Sequence, residues 1–292
     1  MKQQGLQYQV FKPANTLKVW VKYYWSLSDP LGTKPEDLTD NTNHDLVIPD
    51  GSTELIFNWG AAYERTPLHS GKAEILTQSC IVGQRNHSVL ARRLAPTRLV
   101  GVKFKPGALF QLTGIPEVHF KNQVVDIHEL NIEGLDQLEA TLYNCTDLTT
   151  ALQLLNGFFT KTFNQRKPGS SLLNEVLSYI QARQHVDLKT LHVHFDIHPK
   201  KLERLFSEQV GLSPKNYLKV MRFKKVYKQV NRQRMSFYDQ SFFDLGYYDQ
   251  MHFIKEFRSF TGLSPSDYYR GDSAISDQIL RDTMSQLIAD NP

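Results

Sequence analysis

Cysteine is nearly absent: Cys80 and Cys145 are the only two in 292 residues, and they lie far apart in the chain. That excludes a disulfide framework and a Cys-x-x-Cys metal site. A pair between the two stays open, although a reducing compartment is the setting expected. No apolar run approaches the roughly 18 residues of a membrane span, so no membrane partner is expected. The N-terminal stretch MKQQGLQYQVFKPAN lacks the apolar core of a secretion signal, and a cytoplasmic location is the expectation. His44-Asp45 and the scattered serines form no nucleophile motif, so neither an enzyme nor a cofactor is anticipated. Acidic residues are missing altogether from Lys215 to Arg234, where eight residues are basic.

The charge that is present is segregated. From Ser170 to Arg270 sixteen basic residues face ten acidic ones, whereas the remainder of the chain has 18 basic and 20 acidic. Such segregation suggests a polyanionic partner for the C-terminal part, double-stranded DNA being one such polyanion. On charge alone, a solvated helix face with spare lysines explains it equally well. The length favours two domains over one.

Residues 1 to about 130 read as strands and turns. LKVWVKYYWSL (Leu17–Leu27) is aromatic-rich and partly alternating. HDLVIPDGSTELIFNWG (His44–Gly60) places the turn signal Pro49-Asp50-Gly51 between two β-type runs. ILTQSCIVGQ and TRLVGVKFKPGALFQL continue the pattern. In the latter, Val102 and Phe104 face one side and Lys103 and Lys105 the other, before Pro106-Gly107 turns the chain into a short helix through Leu112. Strands at this spacing suggest a sandwich or barrel-like sheet. From Ile132 the apolar spacing becomes helical, with Asp147 as a cap and Gly157 as a potential interruption. The polar segment NQRKPGSS (Asn164–Ser171) reads as an interdomain linker. The expected fold class is α+β multidomain: a β-rich N-terminal sensor-like domain (1–165) with C-terminal helices, an all-α domain with two helix-turn-helix units (170–271), and a short tail (272–292).

One helical unit occurs twice. HPKKLERLFSEQVGLSPKNY (His198–Tyr217) aligns without a gap on DQMHFIKEFRSFTGLSPSDY (Asp249–Tyr268). Each copy has a cap residue, His198 or Asp249. Each has an apolar stripe: Leu202, Leu205 and Phe206, or Phe253, Phe257 and Phe260. Each is preceded by a helical stretch, Leu188–Phe195 or Tyr238–Leu245, and a short turn. The stripes opposite carry Lys200, Glu203, Arg204 and Ser207 in one copy, and Gln250, Met251, Ile254, Lys255 and Arg258 in the other. Helix, turn and second helix with a long-side-chain face is the helix-turn-helix pattern. An α-helix fits the major groove of B-DNA; Arg204 or Lys200 would pair with guanine, Gln250 with adenine, and Met251 and Ile254 would rest on thymine methyls. Two amphipathic helices of an ordinary bundle would explain the stripes but not the duplication. Between the copies, Pro214 to Asn231 reads as one helix of about 27 Å, close to one DNA turn of about 34 Å. Val220, Phe223, Tyr227 and Val230 would contact both subdomains, while Lys224, Lys225 and Lys228 supply charge.

HPKKLERLFSEQVGLSPKNYLKVMRFKK and DLGYYDQMHFIKEFRSFTGLSPSDYYR closely resemble the C-terminal domain of AraC/XylS-type transcription regulators, over about residues 172–270. The resemblance implies a seven-helix domain with two helix-turn-helix units joined by a central helix. It puts base-facing side chains at Lys200, Glu203 and Arg204, and at Gln250, Met251, Ile254 and Lys255. Ser241 and Phe242 depart from the usual Ile-Ala before the second turn, and His198 stands where Ser is frequent. VKYYWSL, IPDGSTELIFN, IVGQ and GVKFKPGALFQL resemble the front domain of one subgroup of these regulators, over roughly residues 10–130, without implying a ligand.

Other constellations carry less. His192, His194 and His198 invite a metal reading, but the first two point to different sides of a helix, and no metal is expected. Trp20, Tyr24, Trp25, Trp59 and Glu54 admit a binding role, against which stands an aromatic sheet core with Glu54 on its outer face. Arg92-Arg93 reads as an exposed charged pair. The tail Ser273–Pro292 has helical apolar spacing and would dock on its own domain or on a partner. Taken together, the expectation is a transcription regulator whose first domain senses a small effector or forms a homodimer through helices at 133–163, and which meets RNA polymerase if it activates. Two alternatives remain: a DNA-repair or metabolic enzyme with a DNA-targeting half, and an architectural DNA binder without sequence preference.

Overall fold

A computed structural model describes residues 6–29, 33–34, 44–59, 62–145, 147–166, 169–233 and 245–270. Its first part is two antiparallel sheets. The larger has the order β1-β2-β9-β4-β7-β10, from β1 (Gln7–Phe11), β2 (Val21–Ser28), β9 (Arg98–Phe104), β4 (Glu54–Asn58), β7 (Cys80–Val82) and β10 (Val124–Asp126). The smaller has the order β3-β8-β5-β6, from β3 (His44–Val47), β8 (Val89–Arg93), β5 (Tyr63–Pro67) and β6 (Glu74–Leu76). The two runs flanking Pro49-Asp50-Gly51 therefore do not close a hairpin. β3 pairs with β8 and β4 with β7 and β9, so the turn carries the chain from one sheet to the other.

The large sheet has two buried faces of different chemistry. On one, Tyr24, Leu55, Phe57, Val102 and Phe104 pack under α2 (Leu135–Tyr143) and α3 (Leu148–Asn164), through Leu138, Leu155, Phe159 and Phe163. Gly157 does not interrupt α3, and Asp147 caps it by accepting from Thr150 N at 2.8 Å. On the other face, Tyr23, Trp25, Ile56 and Leu99 look into a cavity shared with the small sheet. Residues 102–105 alternate as the strand period requires, but the second face is not solvent: Lys103 is 6% exposed and pairs with Glu54 and Asp50. Glu54 likewise faces the cavity, not an outer surface. Arg92 and Arg93 are not a free exposed pair; they bond Glu64 and Asp29 respectively. Both cysteines are free thiols.

Six helices of the second part are described: α4 (Ser171–Ala182), α5 (Leu188–His194), α6 (Pro199–Gln209), α7 (Pro214–Gln233), α8 (Gln250–Thr261) and α9 (Pro265–Arg270). Ser170 caps α4 by accepting from Leu173 N. All but the last residue of the helix expected at Tyr238–Leu245, with Ser241 and Phe242, lies outside the described residues, as do the side chains of Lys228 and Val230 and the tail at 273–292.

The two parts are not separated by a linker gap. Leu46 and Ile48 join the apolar core of the helical part, and α6 packs on α1 (Ala108–Thr113) and on the short helix Glu117–Phe120. At that seam a Cβ on Gly211, whose φ is +80°, would lie 2.7 Å from the Glu117 carbonyl oxygen. The Glu117 side chain is fully buried and Oε1 accepts from Phe110 N at 3.3 Å. Burial pushes its carboxyl up to about 8, against the opposing pull of the Phe110 and Gly107 amides. A carboxyl whose folded pKa lies above its unfolded one contributes stability that is complete below the unfolded value and is lost as pH rises through about 8. The thermal midpoint should therefore fall between pH 5 and pH 8 in the wild type and fall less in Glu117→Gln. Parallel melting curves of the two proteins across that window would contradict the assignment.

Candidate nucleic-acid interface

The two capped helices are built alike. His198 Nδ1 accepts from Lys200 N at 3.3 Å at the start of α6, and Pro199 occupies the first helical position, where a missing N–H loses no bond. Asp249 accepts from His252 N at 2.6 Å at the start of α8. Leu202 and Phe206 in α6, and Phe253, Phe257 and Phe260 in α8, are buried to within about one per cent. That inward stripe leaves the opposite side chains to solvent. Lys200, Glu203 and Arg204 are exposed, as are Gln250, Met251, Lys255 and Arg258. Ile254 is only half exposed, because it packs against the helical core. Of the three histidines near α5, His192 contacts the Ile197 carbonyl, His194 stacks on Tyr179, and His198 caps α6.

The 20-residue α7 spans about 30 Å and binds both helices through rings. Tyr217 meets Phe206 of α6 at 5.6 Å, and Phe223 stacks on Phe260 of α8 at 4.4 Å. Tyr227 bonds Tyr268 hydroxyl to hydroxyl at 2.7 Å. Arg222 adds a charged clamp. Its Nε donates to Glu256 Oε1 at 3.0 Å, its Nη2 to Glu256 Oε2, and its Nη1 to the Gly246 carbonyl at 3.2 Å. The Tyr247 hydroxyl also donates to Glu256 Oε1, at 2.7 Å.

The acid-free basic run is accordingly not all surface charge. Arg222 serves that clamp, Lys224 donates to the Asp50 carbonyl at 3.0 Å, and Lys225 donates to the carbonyls of Ile180, Arg183 and Gln184 at the end of α4. Neither Lys224 nor Lys225 is spare for a polyanion. Glu256 was missed in the sequence; the available signal was an acid three residues from Phe253 and four from Phe260, hence on the apolar face, beside a helix without acids.

With this geometry in place, similarities to known proteins can be assigned to each part. Residues 193–271 match the family described as a helix-turn-helix domain, and residues 9–126 match a domain of unknown function, DUF6597. The helical part is a helix-turn-helix domain. A 107-residue stretch of the chain is 27% identical to the arabinose operon regulatory protein of Salmonella typhimurium, covering 36% of this chain and 38% of that protein. The match thus spans less than half of that relative's length. Among solved structures, ToxT from Vibrio cholerae aligns over 91% of this chain and 98% of its own at 9% identity and a TM-score of 0.44. The AraC-like transcriptional activator CuxR aligns over 77% and 87% at 10% identity and a TM-score of 0.24.

Glu256 is 2% exposed and Arg222 20%, so removing the acid strands a largely buried guanidinium. Glu256→Ala should lower unfolding stability by about 3–5 kcal/mol, read from urea denaturation, and Glu256→Gln by less because the Tyr247 bond survives. A neutral Glu256→Ala would show that the clamp does not hold α8.

Proposed function

We propose that the chain is a sequence-specific DNA-binding transcription regulator that places α6 and α8 in two successive major grooves of one duplex. The observation that supports this reading is the duplication. Two helices with caps at equivalent positions expose long polar side chains from their first turns, and both pack on one continuous helix of about 30 Å, a length comparable with one DNA turn of about 34 Å. Arg204, Lys200, Glu203 and Gln250 would meet base edges, Met251 and the free part of Ile254 thymine methyls, and Lys255 bases or phosphates. Because Ile254 is half buried, its share of the reading is the smallest. A second copy of the chain through α2 and α3, and RNA polymerase in the case of activation, are the protein partners this reading assigns; DNA as partner implies a cytoplasmic location.

Control by a small effector belongs to the same proposal. A ligand alters DNA binding only by preferring one arrangement of the two parts. The contacts available to carry that preference are Asp50 with Lys224, and Gly51, which has no room for a side chain against Met221 and Tyr217. An alkyl-accepting enzyme reading finds no support at Cys80. Burial pushes its thiol up to about 12, which leaves little thiolate at neutral pH.

Selection from random duplexes should enrich two half-sites about 10 base pairs apart, with affinity falling steeply as salt rises. Arg204→Ala should weaken the selected site by about 1–3 kcal/mol and relax one position. Equal affinity of the wild type for all duplexes would leave an architectural binder instead.

A further inference from the structure

The interface between the sheets carries a feature that DNA binding does not use. A cavity of about 250 Å³ lies between them, walled by Tyr23, Trp25, Leu46, Ile48, Ile56 and Val89. Four arginines line this mostly apolar space; Arg92 and Arg93 are held by Glu64 and Asp29, and the other two are Arg85 and Arg65. Arg85 is 9% exposed and Arg65 4% exposed. Among the described residues Arg85 has neither a hydrogen bond nor an ion-pair partner. Arg65 reaches Glu74 through Nη1 at 3.2 Å, while its buried Nη2 has no partner.

The nearby acids do not offset Arg85. Asp50 is already shared by Lys22, Lys103 and Lys224, and Glu54 is paired with Lys103. Three lysines thus divide two carboxylates before either arginine is counted. A cation without a bonded partner in a low-dielectric space is expensive; burial pushes the Arg85 guanidinium down, and the through-space attraction of Glu54 and Asp50 does not outweigh it. The same segment continues with Gln84, whose two amide atoms are buried without partners, and His87, whose Nε2 is likewise unpartnered.

We propose that this cavity binds a small organic monoanion, a carboxylate on an apolar body, with Arg85 as its principal partner and Arg65 Nη2 as a second donor. A planar carboxylate matches the guanidinium fork in two parallel bonds. Arg85 is the one described cation lining the cavity that has no acid bonded to it, and a monoanion matches that single group; a dianionic phosphate ester would bring a second charge into a wall of Tyr, Trp, Leu and Ile. A polyol would leave its hydroxyls facing those apolar side chains. The volume limits the body: a cavity of roughly 150 Å³ takes a benzene ring, so this one takes a ring with a short substituent, or a chain of comparable size. The inference rests on the reading of the first domain as an effector domain, and it names the chemistry of that effector.

The test is calorimetric titration of the full-length protein, without DNA, using benzoate and hexanoate against their neutral amides, benzamide and hexanamide. Carboxylates should bind saturably and the amides about ten- to a hundredfold more weakly. Arg85→Met should lose binding by a similar factor while raising the melting temperature of the ligand-free protein by a few degrees, because an unpaired buried charge has been removed. Arg85→Lys should retain part of the affinity. The proposal is overturned if the amides bind as well as the acids, if neither acid binds, or if Arg85→Met binds the acids unchanged. A lower melting temperature for Arg85→Met would also overturn it, since Arg85 would then be satisfied by the fold. Because no DNA is present, a protein that binds carboxylates but reads no duplex leaves this assignment standing and sinks only the regulator reading.

Discussion

The helical part is assembled on one helix, which also reaches the β-rich part. Along α7, Tyr217, Val220, Phe223, Val226 and Tyr227 form a fully buried seam, and each of its neighbours is held by a different stretch of it. Its first turns hold α6, its middle and end hold α8 and α9, and Met221 and Lys224 reach the β-rich part. Rings dominate these contacts because large rigid side chains fix both distance and orientation at little entropic cost. On the proposed reading of two grooves, such a spacer would couple the two half-sites, whereas a flexible one would let either helix bind alone.

The second constraint is electrostatic and lies at Asp50. Burial by itself would raise its carboxyl, but Lys103, then Lys22 and Lys224, outweigh that and hold it well below the usual carboxylate range. One charge therefore binds β2, β9 and α7 at a single point. It also lines the cavity, so an anion placed near Arg85 acts on the same electrostatic balance that Lys224 joins from the helical part. A charge added within the cavity changes the relative hold of Asp50 on Lys103 and Lys224, and only the latter belongs to the helical domain.

Local features were legible in the sequence. The caps at Asp147, His198 and Asp249, the continuous α7, the inward stripes of α6 and α8 and the outward face of Lys200, Glu203, Arg204, Gln250, Met251 and Lys255 follow from helical periodicity within a dozen residues. What stayed illegible was long-range. Periodicity put Lys103 on the second face of β9 but could not show that another sheet covers that face. Charge counting could not show that Arg222, Lys224 and Lys225 are occupied by Glu256, Asp50 and the end of α4, partners about 30 to 170 residues away. Pro49-Asp50-Gly51 announced a turn correctly, but the strands it joins pair elsewhere. Ile254 was placed outward by its position, yet a β-branched side chain at the edge of a core packs where it can.

The two halves differ in how completely they satisfy themselves, and the difference bears on function. Thr53, Arg65, Gln84, His87, Ser88 and Glu117 each bury a polar side-chain atom with no hydrogen-bond partner among the described residues, and all belong to the β-rich part. The described residues of α4 to α9 contain none. Buried polar groups left unpaired each cost roughly 1–3 kcal/mol, so a fold retains them where something outside the chain completes them or where strain is held for a purpose. In the helical part the side chains proposed to meet DNA are exposed to water. In the β-rich part the unpaired groups lie inside, so a ligand of the proposed kind would stabilise the cavity end and would act on the helical part through the contacts that join the two.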